Sequence, residues 1–376
     1  MHMEADEIRA CPEESSFRAR IKSFYRKHEK YHGLVLFAAG FIWDSLTLTR
    51  VDNLVDNLIL LSYLVLIGTV IFLVLRRQCG GLLPGWLAAI EPRFLWVIQF
   101  CFGGLFSSYV IFYFKSASWT RTQFFFLVLV FLWIGNEFLE QRLQNRELLA
   151  SLYLFCLFTF LAFFLPVVLT RVDVLVFLTA GVISLVVCLS LFGLGLSTQR
   201  NEWRCRMLPI AVWTGSVFLA LNILYFANLI PPVPLALKSA GIYHSVRRTP
   251  AGYEVKYVAP PLLQFWKKWD DPFILSPGEK AYCFTAVFAP GGVRIPVVHV
   301  WSRKTEAGWQ RTDRIRFPIL GGREGGYRGF TAKKGIAPGK WRVEVQTEWG
   351  QTLGRINFTI VESSGVHPPL ETRLIE

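Results

Sequence analysis

The sequence predicts a bundle of about seven transmembrane α-helices followed by an all-β, Ig-like antiparallel sandwich. Of its 376 residues, 53% are hydrophobic, only 18% are charged and 32 are Phe. That composition is typical of a polytopic membrane protein. Long apolar runs recur as far as Leu229 and end at Ile230-Pro231-Pro232-Val233-Pro234. After these prolines, short alternating segments separated by Gly and Pro are typical of strands.

Seven apolar runs approach or exceed the length that crosses a hydrocarbon core of about 30 Å. The first and fourth, with 17 and 16 residues, are near the lower limit. Only Thr170 and Arg171 separate the fifth from the sixth, which predicts a tight turn. The predicted spans are Gly33–Thr49, Leu54–Leu75, Phe94–Phe114, Phe124–Leu139, Leu148–Leu169, Val172–Leu196 and Pro209–Leu229.

Lys and Arg predict which side of the membrane each end occupies. With a cytoplasmic N-terminus, the inner segments carry 15 of these residues and the outer loops carry four. Cytoplasmic loops of membrane proteins are enriched in Lys and Arg. Seven crossings then put residues 231–376 outside the cytoplasm. Losing one of the two short spans would reverse that side.

The same patterns predict five segments. These are a basic cytoplasmic arm (1–32), the helical bundle (33–230), a linker with one strand (231–261), the sandwich (262–362) and a frayed tail (363–376). Alternation of period 2 after Lys280 predicts the strands and places Trp341 in the core. The segment Leu262–Asp271, rich in Trp and Lys, is either an interfacial foot on lipid or an edge of the sandwich.

Charge and cysteine content narrow the partners. Residues 231–376 carry 21 Lys/Arg against 12 Asp/Glu, a net charge of +9. A basic domain outside the cytoplasm suits anionic lipid, anionic glycan or another envelope protein, and nucleic acid is not expected there. Cys283 is the domain's one cysteine and its histidines are dispersed, so we expect no disulfide, metal or other cofactor.

The most unusual polar residues lie around the first hairpin: Asp44, Arg50, Asp52 and Asp56. A charged Asp inside lipid costs roughly 2.5–3.5 kcal/mol, so Asp44 should face the bundle, pair with a cation or be protonated. One interpretation is a cation or proton site at the outer mouth of the bundle. The other is that these side chains cap a helix and anchor it at the interface.

Three further groups are candidates for binding. Glu137 and Glu140 share a helix face at the inner end of the fourth span, where a salt-bridged helix is the simpler interpretation. On a strand, His299 and Trp301 share one face. Arg314 and Arg316 form an exposed basic pair which, near Trp309, could hold an anionic glycan or lipid, or could simply be a solvated surface.

Several stretches resemble one known family. They are Trp43–Asp52, Phe106–Ser118, Asn136-Glu137-Phe138, His299-Val300-Trp301 and Pro338–Val345. Together they resemble an uncharacterised family of bacterial multipass membrane proteins that ends in a β-rich domain of unknown function. The resemblance extends from about residue 33 to 362. It implies the inner membrane of a Gram-negative-type bacterium, with the C-terminal domain in the periplasm, and no established activity.

Three functions follow as hypotheses. The first is a non-enzymatic multipass protein whose basic sandwich binds an envelope partner, lipid or glycan. The second is a transporter or channel-like bundle with a polar site at its outer mouth. The third is an envelope-modifying enzyme, although the sequence contains no nucleophile elbow, phosphate-binding loop or kinase signature.

Overall fold

The computed structural model describes residues 42, 44–46, 48, 51–81, 84–116, 123–136, 145–197, 203–258, 269–276, 278–363 and 369–375. The chain divides into two compact units, Met1–Leu48 and Thr49–Glu376. In the first unit, residues 44–46 are helical and the Leu48 amide donates to the Asp44 carbonyl at 2.8 Å. The predicted basic arm and most of the first predicted span lie outside the described residues.

The second unit begins with helices and ends with strands. The described helices are α1 (Leu54–Gln78), α2 (Gly85–Ile90), α3 (Phe94–Ser116), α4 (Gln123–Asn136), α5 (Arg146–Leu169), α6 (Val174–Leu196) and α7 (Trp203–Phe226), with a 3₁₀ turn at Glu91–Arg93. Asn53, Asn145 and Asp173 cap the starts of α1, α5 and α6 by accepting from backbone amides. Thr170, with φ of 51°, ends α5 in the left-handed conformation.

Five helices have the length and apolar composition of membrane spans among the described residues, so the predicted number of seven is corrected. They are α1, α3, α5, α6 and α7. The fourth predicted span corresponds to α4, which has 14 residues. At 1.5 Å per residue its described part is about 21 Å long, shorter than the hydrocarbon core. The last three residues of the predicted span, 137–139, lie outside the described residues, so the structure describes α4 as a shorter apolar helix.

Helices α1, α3, α4, α5, α6 and α7 alternate in direction along the chain and pack closely. At one end of the bundle, Gln99 and Asn136 donate to each other's backbone carbonyls at 3.2 and 3.0 Å, which joins the start of α3 to the end of α4. The Arg146 Nε donates to the Gln78 Oε1 at 2.8 Å and joins the start of α5 to the end of α1. Inside, the Tyr109 hydroxyl donates to the Cys156 carbonyl at 2.8 Å. Such interhelical bonds replace the hydrogen bonds that lipid cannot supply.

The strands form three sheets. They are β1 (Ala236–Tyr243), β2 (Ser245–Thr249), β3 (Gly252–Val258), β4 (Phe273–Leu275), β5 (Ala281–Phe288), β6 (Arg294–Thr305), β7 (Gly308–Leu320), β8 (Tyr327–Lys333), β9 (Gly339–Thr347), β10 (Thr352–Glu362) and β11 (Leu370–Ile375). The strand orders are β1-β5-β8, β4-β10-β9-β6-β7 and β11-β3-β2. Pairing is antiparallel except between β4 and β10.

The structure differs from the predicted linker and tail, because strands continue through both. The stretch 231–261 carries β1, β2 and β3, and β11 lies within the predicted tail, where it pairs with β3. The register of β1 shifts between Leu237 and Ser239. A bulge breaks period-2 alternation, which explains why the residue pattern predicts this strand poorly.

The first two sheets share buried cores. One cluster includes Cys283 of β5, Trp301 of β6 and Trp341 of β9, so the prediction that Trp341 is a core residue is confirmed. A second cluster includes Leu235, Val293 and Ile295. Val172, in the turn between α5 and α6, packs against this second cluster. The turn therefore docks directly against the β-rich region.

Candidate functional site

Several cations of the β-rich region lie on the outward side of the five-stranded sheet. In the pairing register, Val298 lies between Arg316 and Gln346, and Val300 lies between Arg314 and Glu344. We call this surface the basic face. Its cations are Lys304, Arg311, Arg314, Arg316, Lys340, Arg342 and Arg355. Val298 and Val300 are buried beneath these long side chains, whose aliphatic stems cover them.

Two glutamates on this face already have cationic partners. Glu344 accepts from the Arg355 Nε at 2.9 Å and from the Gln346 Nε2 at 2.8 Å. Glu348 pairs with Arg316 through its carboxylate, while its backbone carbonyl accepts from Arg314 at 3.0 Å. The described cations of the basic face thus outnumber its carboxylates, and Arg314 is bound only through a neutral carbonyl.

Trp309 and Arg342 form the most specific feature of the basic face. The Arg342 guanidinium lies 3.9 Å from the centroid of the Trp309 ring, and its Nε donates to the Asn357 Oδ1 at 3.0 Å. Trp309 is 38% exposed. A guanidinium held beside an accessible indole can bind an anion, while the indole ring contacts an apolar group or the apolar face of a sugar. The sequence pattern indicates Trp309 but not Arg342, which is distant in sequence.

His299 and Trp301 lie on the opposite, inward side of the same sheet. Both are fully buried. The His299 ring nitrogens make hydrogen bonds with the Thr285 hydroxyl at 3.0 Å and the Thr331 hydroxyl at 2.8 Å, which join β6 to β5 and β8. Burial lowers the pKa of His299 to about 3. The ring is therefore neutral, and in this conformation it links sheets rather than contacting the surface.

A buried His–carboxylate cluster is a feature that the sequence did not predict. The His244 Nδ1 lies 2.6 Å from the Glu279 Oε1, and its Nε2 lies 3.2 Å from the Asp270 Oδ2, although the second contact lacks hydrogen-bond geometry. Asp270 also accepts from the Val258 amide at 2.7 Å. Burial raises the pKa of Asp270 to about 7, with the nearby Glu279 charge adding to the rise. Wide sequence separation left no local motif to reveal this cluster.

The structure does not bring the first-hairpin residues into one described site. Asp44 is half-buried in the first unit, and Arg50 lies outside the described residues. Asp52 is half-buried in a turn, and Asp56 is buried in the first turn of α1. The side chain that caps α1 is that of Asn53, at 3.0 Å from the Val55 amide.

The second predicted carboxylate pair cannot be placed. Glu137 and Glu140 fall among residues 137–144, outside the described part of the chain. The same holds for most of the predicted interfacial foot, of which Trp269, Asp270 and Asp271 are described. Among the described residues, no group of three or more His, Cys, Asp or Glu has the arrangement of a metal site.

A groove lies where the β-rich region meets the α5–α6 turn. One part has a volume of about 150 Å³ and is lined by residues of that turn, the start of β6 and the β9–β10 turn. An adjoining part of about 360 Å³ shares Arg294, Ile295 and Pro296 and is mostly apolar. We call the two parts together the seam groove. Trp349, 58% exposed, and Leu320, 45% exposed, are at its rim.

Comparison with known protein families identifies one domain in the C-terminal region. A family model described as "Protein of unknown function (DUF2914)" matches residues 296–360. The C-terminal region therefore contains a domain of that family, and the match spans β6 to β10 with most of the basic face. No curated protein matches the chain.

Six chains of solved structures also match. One is the Pseudomonas fluorescens alkylpurine DNA glycosylase AlkC bound to DNA containing an abasic site analog, at 12% identity and a TM-score of 0.20. The alignment covers 83% of this chain and 99% of that one. So low a TM-score carries no inference about fold or function.

Proposed function

We propose that this protein is a non-enzymatic membrane protein whose basic face binds an anionic glycan outside the cytoplasm. The observation that carries the proposal is the Trp309–Arg342 pair, set among cations that outnumber the carboxylates of the face. Trp stacks on the apolar face of a sugar ring, and Arg binds carboxylate or sulfate groups through paired N–H donors. A membrane lipid and another envelope protein are the alternative partners.

The position of the pair favours a glycan over lipid of the same bilayer. Trp309 is at the start of β7, and Leu320 is at the strand's other end, beside the seam groove. Eleven residues at about 3.3 Å each separate them by roughly 36 Å along the strand. If β7 rises away from the helix ends, a ligand at Trp309 lies beyond the headgroup layer.

The distribution of basic residues supports an extracytoplasmic location. The β-rich region docks at the end of the bundle where α5 meets α6. Among the described residues, two Lys/Arg lie at that end (Lys115, Arg171), whereas six lie at the opposite end (Arg76, Arg77, Arg93, Arg146, Arg204, Arg206). Since the positive end faces the cytoplasm, the β-rich region faces the periplasm of a bacterial inner membrane. This reasoning does not require the first predicted span.

We also propose a more specific fold for the β-rich region. Residues of the three-stranded β1-β5-β8 sheet and of the five-stranded sheet fill the same buried clusters, and His299 of the five-stranded sheet bonds Thr285 and Thr331 of the three-stranded sheet. Two sheets that share one core are the arrangement of a β-sandwich. We assign an Ig-like sandwich to these two sheets, with the β11-β3-β2 sheet as an addition.

Binding can be measured on the full chain in detergent by isothermal titration calorimetry. The probe is a galacturonic acid oligosaccharide of defined length, and a neutral dextran oligosaccharide is the reference. We expect the acidic probe to bind and its affinity to fall as salt rises. Arg342→Gln and Trp309→Ala should each weaken binding about 5- to 10-fold, which corresponds to roughly 1 kcal/mol.

Lys256→Gln is the matched control, because Lys256 is exposed on β3, in a different sheet, and its loss changes the net charge equally. It should leave the affinity within twofold. Equal binding of the acidic and neutral probes would contradict the proposal. So would an equal loss in the Arg342→Gln and Lys256→Gln variants, since that result would indicate net charge rather than a site.

The transporter hypothesis is the second candidate and concerns the bundle. Two cavities lined in part by its described helices have volumes of about 10 and 20 Å³. Such a space holds about one water molecule. No feature of these cavities favours transport, so we develop the binding function alone.

A further inference from the structure

The seam groove differs from the basic face because its floor is mostly apolar. Its floor includes Pro296 and Pro318, which lie opposite each other in the β6–β7 register. On one side of this pair is the Arg316 row, and on the other Arg294 faces Leu320. Two short, apolar rings between rows of long side chains leave a depression. Pro also removes two backbone donors from the ladder, which keeps the floor apolar.

The groove adjoins the level at which the helices leave the membrane. Its far wall is formed by Arg171, Val172 and Asp173 of the α5–α6 turn. The residues on either side of that turn, Leu169 and Leu175, are apolar and exposed on the protein surface. Apolar side chains exposed at the ends of membrane spans face lipid, so the turn marks the edge of the hydrocarbon region.

Among the charged side chains of the groove, the Arg294 guanidinium is available to bind an anion. Arg171, whose side chain is 70% exposed, pairs with Asp173 at 2.9 Å. Glu348 pairs with Arg316. Arg294 is exposed, and the structure gives it no ion pair among the described residues. With both carboxylates occupied, the groove is electropositive at Arg294, and Arg171 lies on the opposite wall.

Trp349 and Leu320 supply the complementary apolar part. Trp349 is at the tip of the β9–β10 turn, held there by Gly350 with φ of 85° and by the hydrogen bond from the Gly350 amide to the Thr347 carbonyl at 3.0 Å. Indole side chains favour the headgroup layer of a bilayer. These side chains suit a phospholipid. The exposed Trp349 indole suits the headgroup layer, the exposed Leu320 suits an acyl chain, and Arg294 suits the phosphate.

We propose that the seam groove binds one anionic phospholipid of the adjoining leaflet. Arg294 binds the headgroup phosphate, Arg171 adds positive charge from the turn, and Leu320 contacts the proximal acyl chain. Bound lipid bridges the α5–α6 turn and the β-rich region, so it holds the domain at a fixed orientation to the membrane. This site shares no ligand-binding residue with the Trp309–Arg342 pair, and either proposal can fail without the other.

Native mass spectrometry of the full chain in detergent provides the test. Phosphatidylglycerol or phosphatidylcholine with identical acyl chains is added at equal concentration, and the fraction of protein retaining one lipid is measured. We expect phosphatidylglycerol to be retained at least fivefold more. Arg294→Gln should remove most of that preference, and Arg294→Lys, which keeps the charge, should preserve part of it. Leu320→Asn should also reduce retention.

Lys256→Gln is the matched control, since it removes one exposed cation from β3, which belongs to a different sheet. It should behave like the unmodified protein. Equal retention of the two lipids, or unchanged retention in Arg294→Gln, would overturn the proposal. Loss in Arg294→Gln with full retention in Leu320→Asn would overturn it too, because that pattern describes a site for a phosphate group without its acyl chain. Displacement of the lipid by inorganic phosphate would overturn it for the same reason.

Discussion

At the scale of single residues, His299 makes a clear prediction about pH. Its pKa is lowered to about 3 by burial, against about 6.5 in an unfolded chain. Between these values the unfolded state binds one more proton than the folded state. The stability supplied by neutral His299 is therefore present above pH 6.5 and is lost as pH falls, by up to about 1.4 kcal/mol per pH unit.

Asp270 acts in the opposite direction. Its pKa is raised to about 7, so its contribution is present at low pH and is lost as pH rises through 7. The comparison must therefore be between proteins that both contain Asp270. We expect the slope of the free energy of unfolding of the β-rich region against pH to be more positive in the unmodified protein than in His299→Gln. Pulse proteolysis in urea at pH 5, 6 and 7 measures both, and parallel curves would contradict this role for His299.

The residue scale also shows what the sequence reveals about a site. Arg314 and Arg316 alternate with Ile315 and Phe317, so their exposure was predictable from period 2 alone. The partner that gives the basic face its specific feature, Arg342, comes from a different strand, 33 positions after Trp309. The His244, Asp270 and Glu279 cluster is likewise assembled from separate segments. Pairing across a sheet is fixed by register, which single-strand patterns do not contain.

At the scale of elements, Gly321 directly follows β7, where the chain leaves the sheet. A Cβ at this position would clash with the Pro290 carbonyl oxygen, and the Gly321 amide donates to the Val293 carbonyl at 2.8 Å. The obstacle is backbone, which cannot turn aside as a side chain can. Gly321→Ala should therefore destabilise the β-rich region by more than about 2 kcal/mol.

Gly291, in the facing turn, is the matched control because an added Cβ there would meet nothing within 4 Å. Gly291→Ala should change stability by less than about 1 kcal/mol. The same pulse-proteolysis measurement compares the two variants. Equal stability of both alanine variants would show that the Pro290–Gly321 approach is not constrained.

Elements also show where sequence patterns were sufficient. Five long apolar runs correspond to helices of spanning length, because length and composition together determine a span. At α4 the described helix has 14 residues, so the apolar composition that predicted a span there is not matched by a described helix of spanning length. Strands β2 and β3 form a hairpin rich in charged residues, and their apolar alternation is weak. Their place in a sheet depends on pairing with β11, which lies more than 100 residues away.

At the scale of the whole molecule, the central claim is that the basic face is extracytoplasmic. It rests on docking at the end of the bundle that has fewer Lys and Arg. Val172 fixes that end, since it belongs to the α5–α6 turn and packs in the β-rich core. The glycan proposal and the location are thus linked, because a cytoplasmic basic face would meet different anions.

Labelling of introduced cysteines with a membrane-impermeant maleimide in bacterial spheroplasts tests this claim most directly. The background protein carries Cys11→Ser and Cys205→Ser, and its other cysteines are buried. Lys304→Cys reports on the far end of β6, and Gln78→Cys reports on the opposite end of the bundle, where both residues are exposed. We expect Lys304→Cys to be labelled in intact spheroplasts and Gln78→Cys to be labelled only after permeabilisation. Labelling of Gln78→Cys alone in intact spheroplasts would contradict the claim.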